Sequence, residues 1–468
     1  MPTTRTSASR RRRRGSSAEL ARRSREDPVW WIQKVLGVEL WSGQRRICRS
    51  VRDHRQTAVR SCHGPGKTKV AACIVVWFLY CFPDSRVITT ATKWSQVKNL
   101  LWHEVNMLHR GVRLDGGLGG VCLQTELKLP DGRYALGLST RPGQEESFQG
   151  HHAPHILLLY DEASGVPEPV YEAGEGYMTT EGARKLMIGN PTRAEGEFYK
   201  AFNANRAEYR THHISAFDTP AFTGEEVSED VLRHLVGKRW VEERRAKWEG
   251  TALWDVKVLG DFSKRADDTV IALHVVEDAQ EREPLPVKPD REAVIGVDVA
   301  RFGSDETVIS VREERNVDIL DVYQGKDTTE TSGRVLRFWR QFSEGPGSAR
   351  VVVDDPGVGG GVTDNLRAAG VPVTAFGGGE TAIEPEDFPN CRSESWFRAA
   401  EELETCSLPD DEQLAADLVS PRYKIDKSGR RVVEPKDETK KRLGRSPDRA
   451  DSVLLTFVPE TESGMELW

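Results

Sequence analysis

No apolar run in this sequence is long enough to cross a bilayer, and none near the N-terminus has the form of a signal peptide. The longest apolar stretch, AACIVVWFLYCF at residues 71–82, has 12 residues, whereas a membrane-spanning helix needs about 20. The seven cysteines include no CxxC pair, which argues against a zinc site and against a disulfide framework. We therefore expect a protein that acts inside the cell with its thiols reduced.

An excess of positive charge is missing as well. The net charge is −7 although residues 1–27 contain nine arginines, so the rest of the chain is strongly acidic. Phosphate binding needs clustered Lys and Arg rather than a favourable average, and the net charge therefore neither proves nor excludes a nucleic-acid partner. We expect the basic tail, residues 1–27, to be disordered; contact with nucleic acid and a purely solvated tail both stay open.

Length and pattern predict two α/β domains. With 468 residues and 38% hydrophobic content the chain can build two cores. From residue 28 to 263, apolar runs such as TAVRS, RVITTAT, HILLLYD and KLMIGN alternate with helical stretches, as in a mostly parallel sheet. The proline-containing, charged segment at residues 264–291 predicts a linker. Three strand-like runs, AVIGVDVA, ETVISVRE and NVDILDVYQ, then predict an antiparallel meander that opens a second domain, residues 292–468.

The segment SCHGPGKTK, residues 61–69, has the form of a phosphate loop. It follows a strand-like run and precedes the helical run KVAACIVVWFL, which is the context that such a loop requires. Gly64 and Gly66 allow backbone N–H groups to approach phosphate. Lys67 would neutralise the β- and γ-phosphates, and Thr68 would be a ligand of Mg²⁺. Ser61 stands where the common pattern has glycine, and we still predict a site for ATP with Mg²⁺.

The run HILLLYDEA supplies the second half of such a site, because its apolar strand ends in two carboxylates. Asp161 would hold Mg²⁺ through water, and Glu162 would orient and deprotonate the attacking water. Gln44 is either a partner of the adenine edge or an ordinary surface glutamine. Asn190, in KLMIGNPT, either senses the γ-phosphate or belongs to an ordinary turn.

Carboxylates in the C-terminal half fall at the ends of predicted strands and at the start of a predicted helix. These places can meet at one edge of a sheet, where three carboxylates about 4 Å apart would repel by roughly 4 kcal/mol per pair at an effective dielectric constant of about 20. Convergence would therefore require cations, and two Mg²⁺ or Mn²⁺ ions would suit phosphodiester hydrolysis. The candidates are Asp298, Asp305, Asp354, Asp355, Asp448 and Asp451.

The stretch ESFQGHHAPHILLLYDEASGVPEPVYEA, followed by IGNPT, resembles the Walker B region and the coupling motif of large terminase subunits of tailed phages. GDFSKRADDTV resembles the passage from motor to nuclease in that family, and the resemblance covers nearly the whole chain after the tail. It implies an ASCE-type phosphate-loop ATPase domain with a lid at about residues 212–262, then a ribonuclease H-like nuclease domain. It also implies that Gln44 reads adenine and that Asn190 couples hydrolysis to movement. The residues implied in hydrolysis are Lys67, Thr68, Asp161 and Glu162.

For the nuclease, the resemblance implies an acidic residue at each of three places. Asp298 fits the first and Asp451 the third. Asp354 fits the second better than Asp355, because Gly357 then stands at the family's spacing from the acid. Asp448 is a less certain ligand at the third place, and Asp305 would be an auxiliary ligand.

The resemblance further implies an arginine finger and several partners. Arg141 is favoured as the finger, supplied to a neighbouring subunit, and Arg60 is the alternative. The implied partners are double-stranded DNA, the portal protein of the procapsid, a small terminase subunit and further copies in a ring, usually of five; no membrane is implied. The expected place of action is the host cytoplasm, with transient docking on the procapsid.

The expected function is ATP-driven translocation of double-stranded DNA into a procapsid, with metal-dependent endonucleolytic cleavage of concatemeric DNA. One alternative is a helicase-like translocase fused to a resolvase-like nuclease in repair or recombination. Another is an ATP-gated scaffold that grips DNA without cutting it.

Overall fold

The computed structural model describes residues 18–112, 117–139, 150–263, 268–300, 305–344 and 347–459. Within the basic tail, residues 1–17 lie outside this part, and residues 18–26 form a helix, α1, so the prediction of disorder is wrong for them. Tertiary contacts hold this helix. The Trp77 indole N–H donates to the Ser24 carbonyl over 2.8 Å, and the Arg23 guanidinium lies 4.2 Å from the centre of the Trp30 ring.

The described chain divides into two compact units. Unit 1 is formed by residues up to 243 and by residues 255–263, and unit 2 by residues 244–254 and those from 264 onward. Across the described ranges, the structure has no helix with the length and apolar character needed to cross a membrane.

The described strands of unit 1 form one mixed sheet. They are β1 (Gln56–Ser61), β2 (Ser85–Ala91), β3 (Val121–Cys122), β4 (Glu126–Lys128), β5 (Tyr134–Gly137), β6 (His155–Asp161), β7 (Arg184–Gly189) and β8 (Arg210–Ile214). Their order is β3-β4-β5-β2-β6-β7-β1-β8, and all except β3 and β4 belong to one parallel run. Strand β7 lies between β1 and β6, which is the ASCE order and confirms the predicted fold of this half.

Helices precede, connect and follow these strands in the described part of unit 1. They are α1 (residues 18–26), α2 (Pro28–Trp31), α3 (Ser42–Asp53), α4 (Lys67–Cys81), α5 (Trp94–Gln96), α6 (Trp102–Gly111), α7 (Glu168–Glu175), α8 (Gly196–Lys200), α9 (Pro220–Thr223), α10 (Glu229–Arg233) and α11 (Lys238–Trp248), the last of which runs from unit 1 into unit 2. Turns of π-helix occur at Ile32–Leu36, Val97–Leu101 and Trp254–Leu259, and turns of 3-10 helix at Ala163–Gly165, Gly176–Thr179, Arg206–Glu208 and Ala216–Asp218.

Helix α4 lies in the core of unit 1. Its residues 70–79 are at most 1% exposed, as expected for a helix that is apolar on all sides. At its C-terminal end the Arg133 guanidinium donates to the carbonyls of Leu79, Tyr80 and Phe82 over 2.8, 3.2 and 3.0 Å. These bonds satisfy carbonyl groups at the helix end, so α4 is fixed at the end opposite the phosphate loop.

The predicted lid does not begin at a domain boundary, because residues 212–214 belong to β8, which pairs with β1. The predicted lid segment also forms hydrogen bonds with the phosphate loop that follows β1. The backbone N–H of Cys62 donates to Ile214 and that of His63 to Lys257, over 2.8 and 2.7 Å, and Val236 donates to Gly64 over 2.8 Å. The segment is thus hydrogen-bonded to the phosphate loop, and its role as a lid stays a prediction.

The described strands of unit 2 form a five-stranded sheet and a hairpin. They are β9 (Glu292–Asp298), β10 (Thr307–Glu313), β11 (Asn316–Tyr323), β12 (Ser348–Asp354), β13 (Val373–Phe376), β14 (Tyr423–Ile425) and β15 (Arg431–Val433). The sheet has the order β11-β10-β9-β12-β13, in which β9 to β11 form the predicted antiparallel meander and β12 and β13 run parallel to β9. This order is ribonuclease H-like and confirms the predicted fold of the second half.

The predicted linker, residues 264–291, is only partly irregular. The helices of unit 2 are α12 (Leu273–Gln280), α13 (Thr328–Ser343), α14 (Gly359–Ala368), α15 (Cys391–Leu403), α16 (Glu412–Leu418), α17 (Lys436–Leu443) and α18 (Asp448–Leu455). Helix α12 buries Leu273, Val276 and Ala279, which recur every three residues and face the core. Residues 281–291 contain no helix or strand, so only the later part of the segment fits a linker.

Helix α18 packs closely over β9 because Gly296 has no side chain. A Cβ at Gly296 would lie 2.2 Å from the Ser452 carbonyl oxygen. The Ser452 hydroxyl is 3.1 Å from the carbonyl oxygens of both Gly296 and Val308. This contact brings the first turn of α18 to the carboxyl end of β9.

Candidate functional site

The phosphate-loop sequence occupies the turn between β1 and α4. Gly64 and Gly66 have φ values of +71° and +82°, a region that residues with side chains rarely adopt. A Cβ at Gly66 would also lie 2.5 Å from the Gln44 amide nitrogen. Lys67 is the first residue of α4 and Thr68 the second, so both stand at a helix N-terminus, where the helix dipole favours anions.

One residue, Asn190, connects three segments of this site through its side chain and its backbone N–H. The Lys67 ammonium donates to the Asn190 side-chain oxygen over 2.9 Å, and the Asn190 amide nitrogen donates to the Ser61 carbonyl over 2.7 Å. The backbone N–H of Asn190 lies 3.4 Å from the Glu162 carboxylate. The carboxyl ends of β1, β6 and β7 are therefore linked through Asn190, as their neighbouring positions in the sheet allow.

The acidic pair at the end of β6 faces Lys67. The Glu162 carboxylate lies 3.7 Å from the Lys67 ammonium, and Glu162 has the unusual φ of +45°. Burial, together with repulsion from Glu162, raises the pKa of Asp161 to about 7. Burial alone would raise the pKa of Glu162, but Lys67, Lys257, the Asn190 N–H and His63 lower it below its usual value. Glu162 is thus the member of the pair held as a carboxylate.

These residues fit a magnesium–nucleotide complex. Lys67 is a buried ammonium, 8% exposed, whose described partners are the oxygens of Asn190 and Glu162. Thr68 and Asp161 are oxygen ligands of the kind that Mg²⁺ takes, and Lys67 would lie against phosphate. The bound ion would neutralise charge on the phosphates.

Gln44, Arg60 and Arg141 are the remaining residues that the sequence predicts for the ATP site. Gln44 is buried, its amide nitrogen donates to the Gly66 carbonyl over 3.0 Å, and its oxygen accepts from the Trp41 N–H over 3.3 Å. Its pairing with adenine stays a prediction. Arg60 lies 2.7 Å from the Asp261 carboxylate, and Arg141 lies outside the described residues.

In unit 2, three carboxylates converge where β9 ends beneath α18. One oxygen from each of Asp298, Asp448 and Asp451 lies within 4.8 Å of the other two, and all three residues are buried. The Lys436 ammonium lies among them, 3.2 Å from Asp298, 3.3 Å from Asp448 and 2.8 Å from Asp451. Arg392 lies 3.2 Å from the other oxygen of Asp451. The sequence predicts this convergence of acids but not the two cations.

The electrostatics of this cluster show how strongly it needs positive charge. Burial, with repulsion from Asp451, Asp448 and Asp354, holds the pKa of Asp298 well above its usual value despite the attraction of Lys436. Burial would raise the pKa of Asp451 too, but Lys436 and Arg392 lower it.

The second predicted acidic place lies beside this trio. Burial raises the pKa of Asp354, and Lys436 and Arg392 oppose this effect while Asp451 adds to it; Asp354 and Asp451 line the same cavity. The Asp355 oxygens instead lie 3.9 Å from the Cβ position of Gly360 in α14.

Asp305 lies apart from the three buried acids and contacts Lys440 at 2.6 and 2.8 Å. The neighbouring residue Glu306 reaches the cluster, because its backbone N–H donates to Asp448 over 2.8 Å. Lys436 and Lys440 are four residues apart in α17. Helical spacing was the sequence signal that could have placed them on one face.

The donor set fits divalent metal ions. Three buried carboxylates offer the hard oxygen ligands that Mg²⁺ and Mn²⁺ take, and Lys436 already places one positive charge at their centre. Asp298, Asp448 and Asp451 would hold the metal, with Asp354 at the edge of the site. Bound metal would activate water and stabilise the leaving oxygen of a phosphodiester.

The two strand orders and the two acidic sites define the class: a chain that joins a phosphate-loop ATPase fold to a ribonuclease H-like fold. The chain is 27% identical over 448 residues to a protein named as a probable terminase, large subunit, of Enterobacteria phage P7. The match covers 90% of this chain and 89% of that protein. This relative confirms the resemblance to large terminase subunits. No protein-family model matches the chain.

Solved structures of large terminases are also similar to this chain. The large terminase of a thermophilic bacteriophage is 13% identical, with a TM-score of 0.41, over 89% of this chain and 98% of that one. The nuclease domain of the large terminase subunit of bacterial virus Sf6 is 16% identical, with a TM-score of 0.34, over 41% of this chain and 99% of that one. Because both TM-scores are below 0.5, the fold assignment rests on the strand orders.

Proposed function

We propose that this chain is the large subunit of a phage terminase, which hydrolyses ATP with Mg²⁺ to drive double-stranded DNA into a procapsid and cuts that DNA with a metal-dependent nuclease. The observation that carries the proposal is the presence of two acidic sites on separate sheets. One faces Lys67 of the phosphate loop, and the other gathers Asp298, Asp448 and Asp451 around Lys436. The relative in phage P7 supports the combination.

In the ATPase site each side chain has a distinct task. Lys67 would bind the β- and γ-phosphates, and Thr68 and Asp161 would hold Mg²⁺. Glu162, which is held as a carboxylate, would orient the attacking water and accept its proton. Phosphate binding would draw Lys67 away from Asn190, which then reports the state of the nucleotide to Ser61 and Glu162.

In the nuclease site, Asp298, Asp448, Asp451 and Asp354 would hold metal against the DNA backbone. Lys436 would have to leave its central position when metal binds, because two cations cannot share the same three carboxylate oxygens.

The named relative also supports a set of partners. As a large terminase subunit the chain would bind double-stranded DNA, the portal protein and a small terminase subunit, and it would assemble into a ring, of five copies by our expectation, on the procapsid in the host cytoplasm. Arg141 would then serve a neighbouring subunit as the arginine finger.

Separate inactivation of the two sites tests the proposal. Lys67→Ala should abolish ATP hydrolysis while linearisation of a plasmid in Mn²⁺ persists, and Asp298→Asn should do the reverse. Lys69→Ala is a matched control for the first variant, because Lys69 is in the same turn of α4 but contacts Glu104 at 2.8 Å. Asp318→Asn, an exposed acid on β11, is the control for the second.

Three results would contradict parts of this proposal. Loss of both activities in either variant would show that the two sites do not act separately. Absence of plasmid cutting by the unaltered protein would favour a scaffold that grips DNA without cutting it. Strand separation without capsids, with no stimulation of the ATPase by procapsids, would favour a helicase-like translocase.

A further inference from the structure

A cavity of about 230 Å³ opens in unit 2 beside the nuclease carboxylates. Asp354 and Asp451 form one side of it. The remaining wall is mostly apolar and includes Phe376, Trp396 and Leu454. The cavity is smaller than the range typical of sites for drug-sized ligands, which starts at about 300 Å³, so it suits a single flat ring system better than a larger molecule.

The apolar wall also contains donors of hydrogen bonds that lack acceptors. Arg392 lines the cavity and places its guanidinium carbon 5.9 Å from the centre of the Trp396 ring. In the described part of the chain, two nitrogens of Arg392 and the indole nitrogen of Trp396 are buried without a hydrogen-bond partner. A buried donor without an acceptor destabilises the fold, because it has lost its hydrogen bonds to water. A ligand with both a flat apolar face and acceptor atoms would satisfy these donors once the Arg392 side chain turns its unpaired nitrogens toward the cavity, to which they are not exposed here.

We propose that this cavity receives one unstacked nucleobase of the DNA strand, next to the phosphodiester that the nuclease cuts. A nucleobase offers a flat face to Phe376 and carbonyl or ring-nitrogen acceptors to Arg392. Because the cavity is lined by Asp451 of the acidic cluster and by the neighbouring Asp354, a base held there would place its own backbone phosphate at the metal ligands. The inference rests on the proposed nuclease function and adds that the substrate is locally unpaired when it is cut.

Filling the cavity gives a direct test. Gly379 lines it, and a Cβ added at Gly379 meets no atom within 4 Å, so Gly379→Leu should enter the cavity without disturbing the surrounding chain. Gly333→Leu is the matched control, because Gly333 in α13 also has open space at its Cβ and does not line the cavity. Both variants should keep the ATPase activity of unit 1.

The measurement is the affinity for two short duplexes in EDTA, one fully paired and one with a central mismatch, which lowers the cost of unstacking a base. The unaltered protein and Gly333→Leu should bind the mismatched duplex about tenfold more tightly, because the freed base stacks on an aromatic side chain. Gly379→Leu should bind both duplexes equally. Phe376→Leu, which removes the aromatic face, should lower the preference as well and serves if Gly379→Leu fails to fold.

Equal affinity of the unaltered protein for both duplexes would overturn the inference, as would a preference that survives in Gly379→Leu and Phe376→Leu. A cavity that takes an aromatic side chain of a protein partner instead would give that result. Cutting of the same duplexes in Mn²⁺ is scored separately. If no duplex is cut while the mismatch preference persists, the nuclease proposal fails and base binding by the cavity stands.

Discussion

The Lys436 ammonium contacts three buried carboxylates at once. Burial would lower the pKa of its ammonium, but attraction to Asp451, Asp298 and Asp448 raises it above the ordinary value, so it stays charged. It neutralises part of a cluster that would otherwise hold three buried carboxylates. Lys436 therefore stabilises the protein without metal, and under our proposal it would compete with metal for the same oxygens.

Lys436→Met should lower the free energy of unfolding of the metal-free protein by up to about 3 kcal/mol, because it leaves buried charges without their partner. Addition of Mn²⁺ should then stabilise this variant more than the unaltered protein, since the competing cation is gone. Urea denaturation with and without Mn²⁺ measures both effects. Lys441→Met is the control, as Lys441 lies on the same helix and pairs with exposed Glu438. An equal effect of Mn²⁺ on all three proteins would contradict the competition.

Metal binding to unit 2 should depend on pH through Asp298. Its raised pKa means that it keeps its proton at pH values where an ordinary aspartate has lost it, and metal needs the carboxylate. The affinity for Mn²⁺ should therefore rise as the pH increases from the usual range of an aspartate, with release of a proton. Calorimetric titration in two buffers of different ionisation enthalpy measures that release, and binding without any proton release would rule it out.

The acids of this site were predictable because carboxylates at strand ends and at a helix N-terminus can meet at one edge of a sheet. The role of Lys436 was not predicted. The segment KDETKKR has the pattern of an ordinary solvated helix, and no local signal shows that the first turn of this helix faces the acids. Asp305, an auxiliary ligand by the resemblance alone, contacts Lys440 in the structure, and its role as a ligand stays a prediction.

At the scale of elements, the contact between β9 and α18 decides whether the acids converge. Asp298 belongs to the strand and Asp448 and Asp451 to the helix. The close approach at Gly296 sets the distance between them.

Gly296→Val should force α18 away from β9 and reduce plasmid cutting by at least about tenfold, the effect of roughly 1.4 kcal/mol on the transition state, while ATP hydrolysis in unit 1 persists. Overpacking of this kind costs typically about 1–3 kcal/mol of stability. Ser452→Ala, which removes only the hydroxyl contacts, should have a smaller effect on cutting. Full nuclease activity in Gly296→Val would show that the spacing of strand and helix is not critical.

Helices and strands with a regular apolar pattern were predictable from the sequence. Elements that are stabilised by contacts with residues far away in the sequence were not. The runs that became β1, β2, β6 and β7 are apolar and short, and the meander follows the expected alternation. Helix α1 is rich in arginine and was predicted as disordered, because its contacts with Trp77 and Trp30 come from other elements.

At the scale of the molecule, the order of strands in each sheet places each acidic site at the carboxyl edge of its own unit. The resemblance predicted both folds. Local sequence patterns indicate single strands, but they cannot predict the order of those strands across a sheet. The segment around residues 264–291 was harder, since three prolines and many charges conceal the apolar spacing of α12.

Ligands should therefore protect the two units separately. In hydrogen exchange, Mg²⁺ with ADP should slow exchange of backbone amides at residues 62–68 and leave residues 293–298 unchanged. Mn²⁺ without nucleotide should slow residues 293–298 and 448–452, most clearly in Lys436→Met. Protection of both regions by either ligand alone would contradict the separation.

The burial of α4 and the three bonds of Arg133 at its end limit what nucleotide binding can move in unit 1. Shifting this helix would expose a continuous apolar surface, whereas the turns after β1, β6 and β7 can change by rotation of a few side chains. Coordinates with and without nucleotide should therefore superimpose on α4, and any change caused by the nucleotide should be a displacement of those turns relative to this helix.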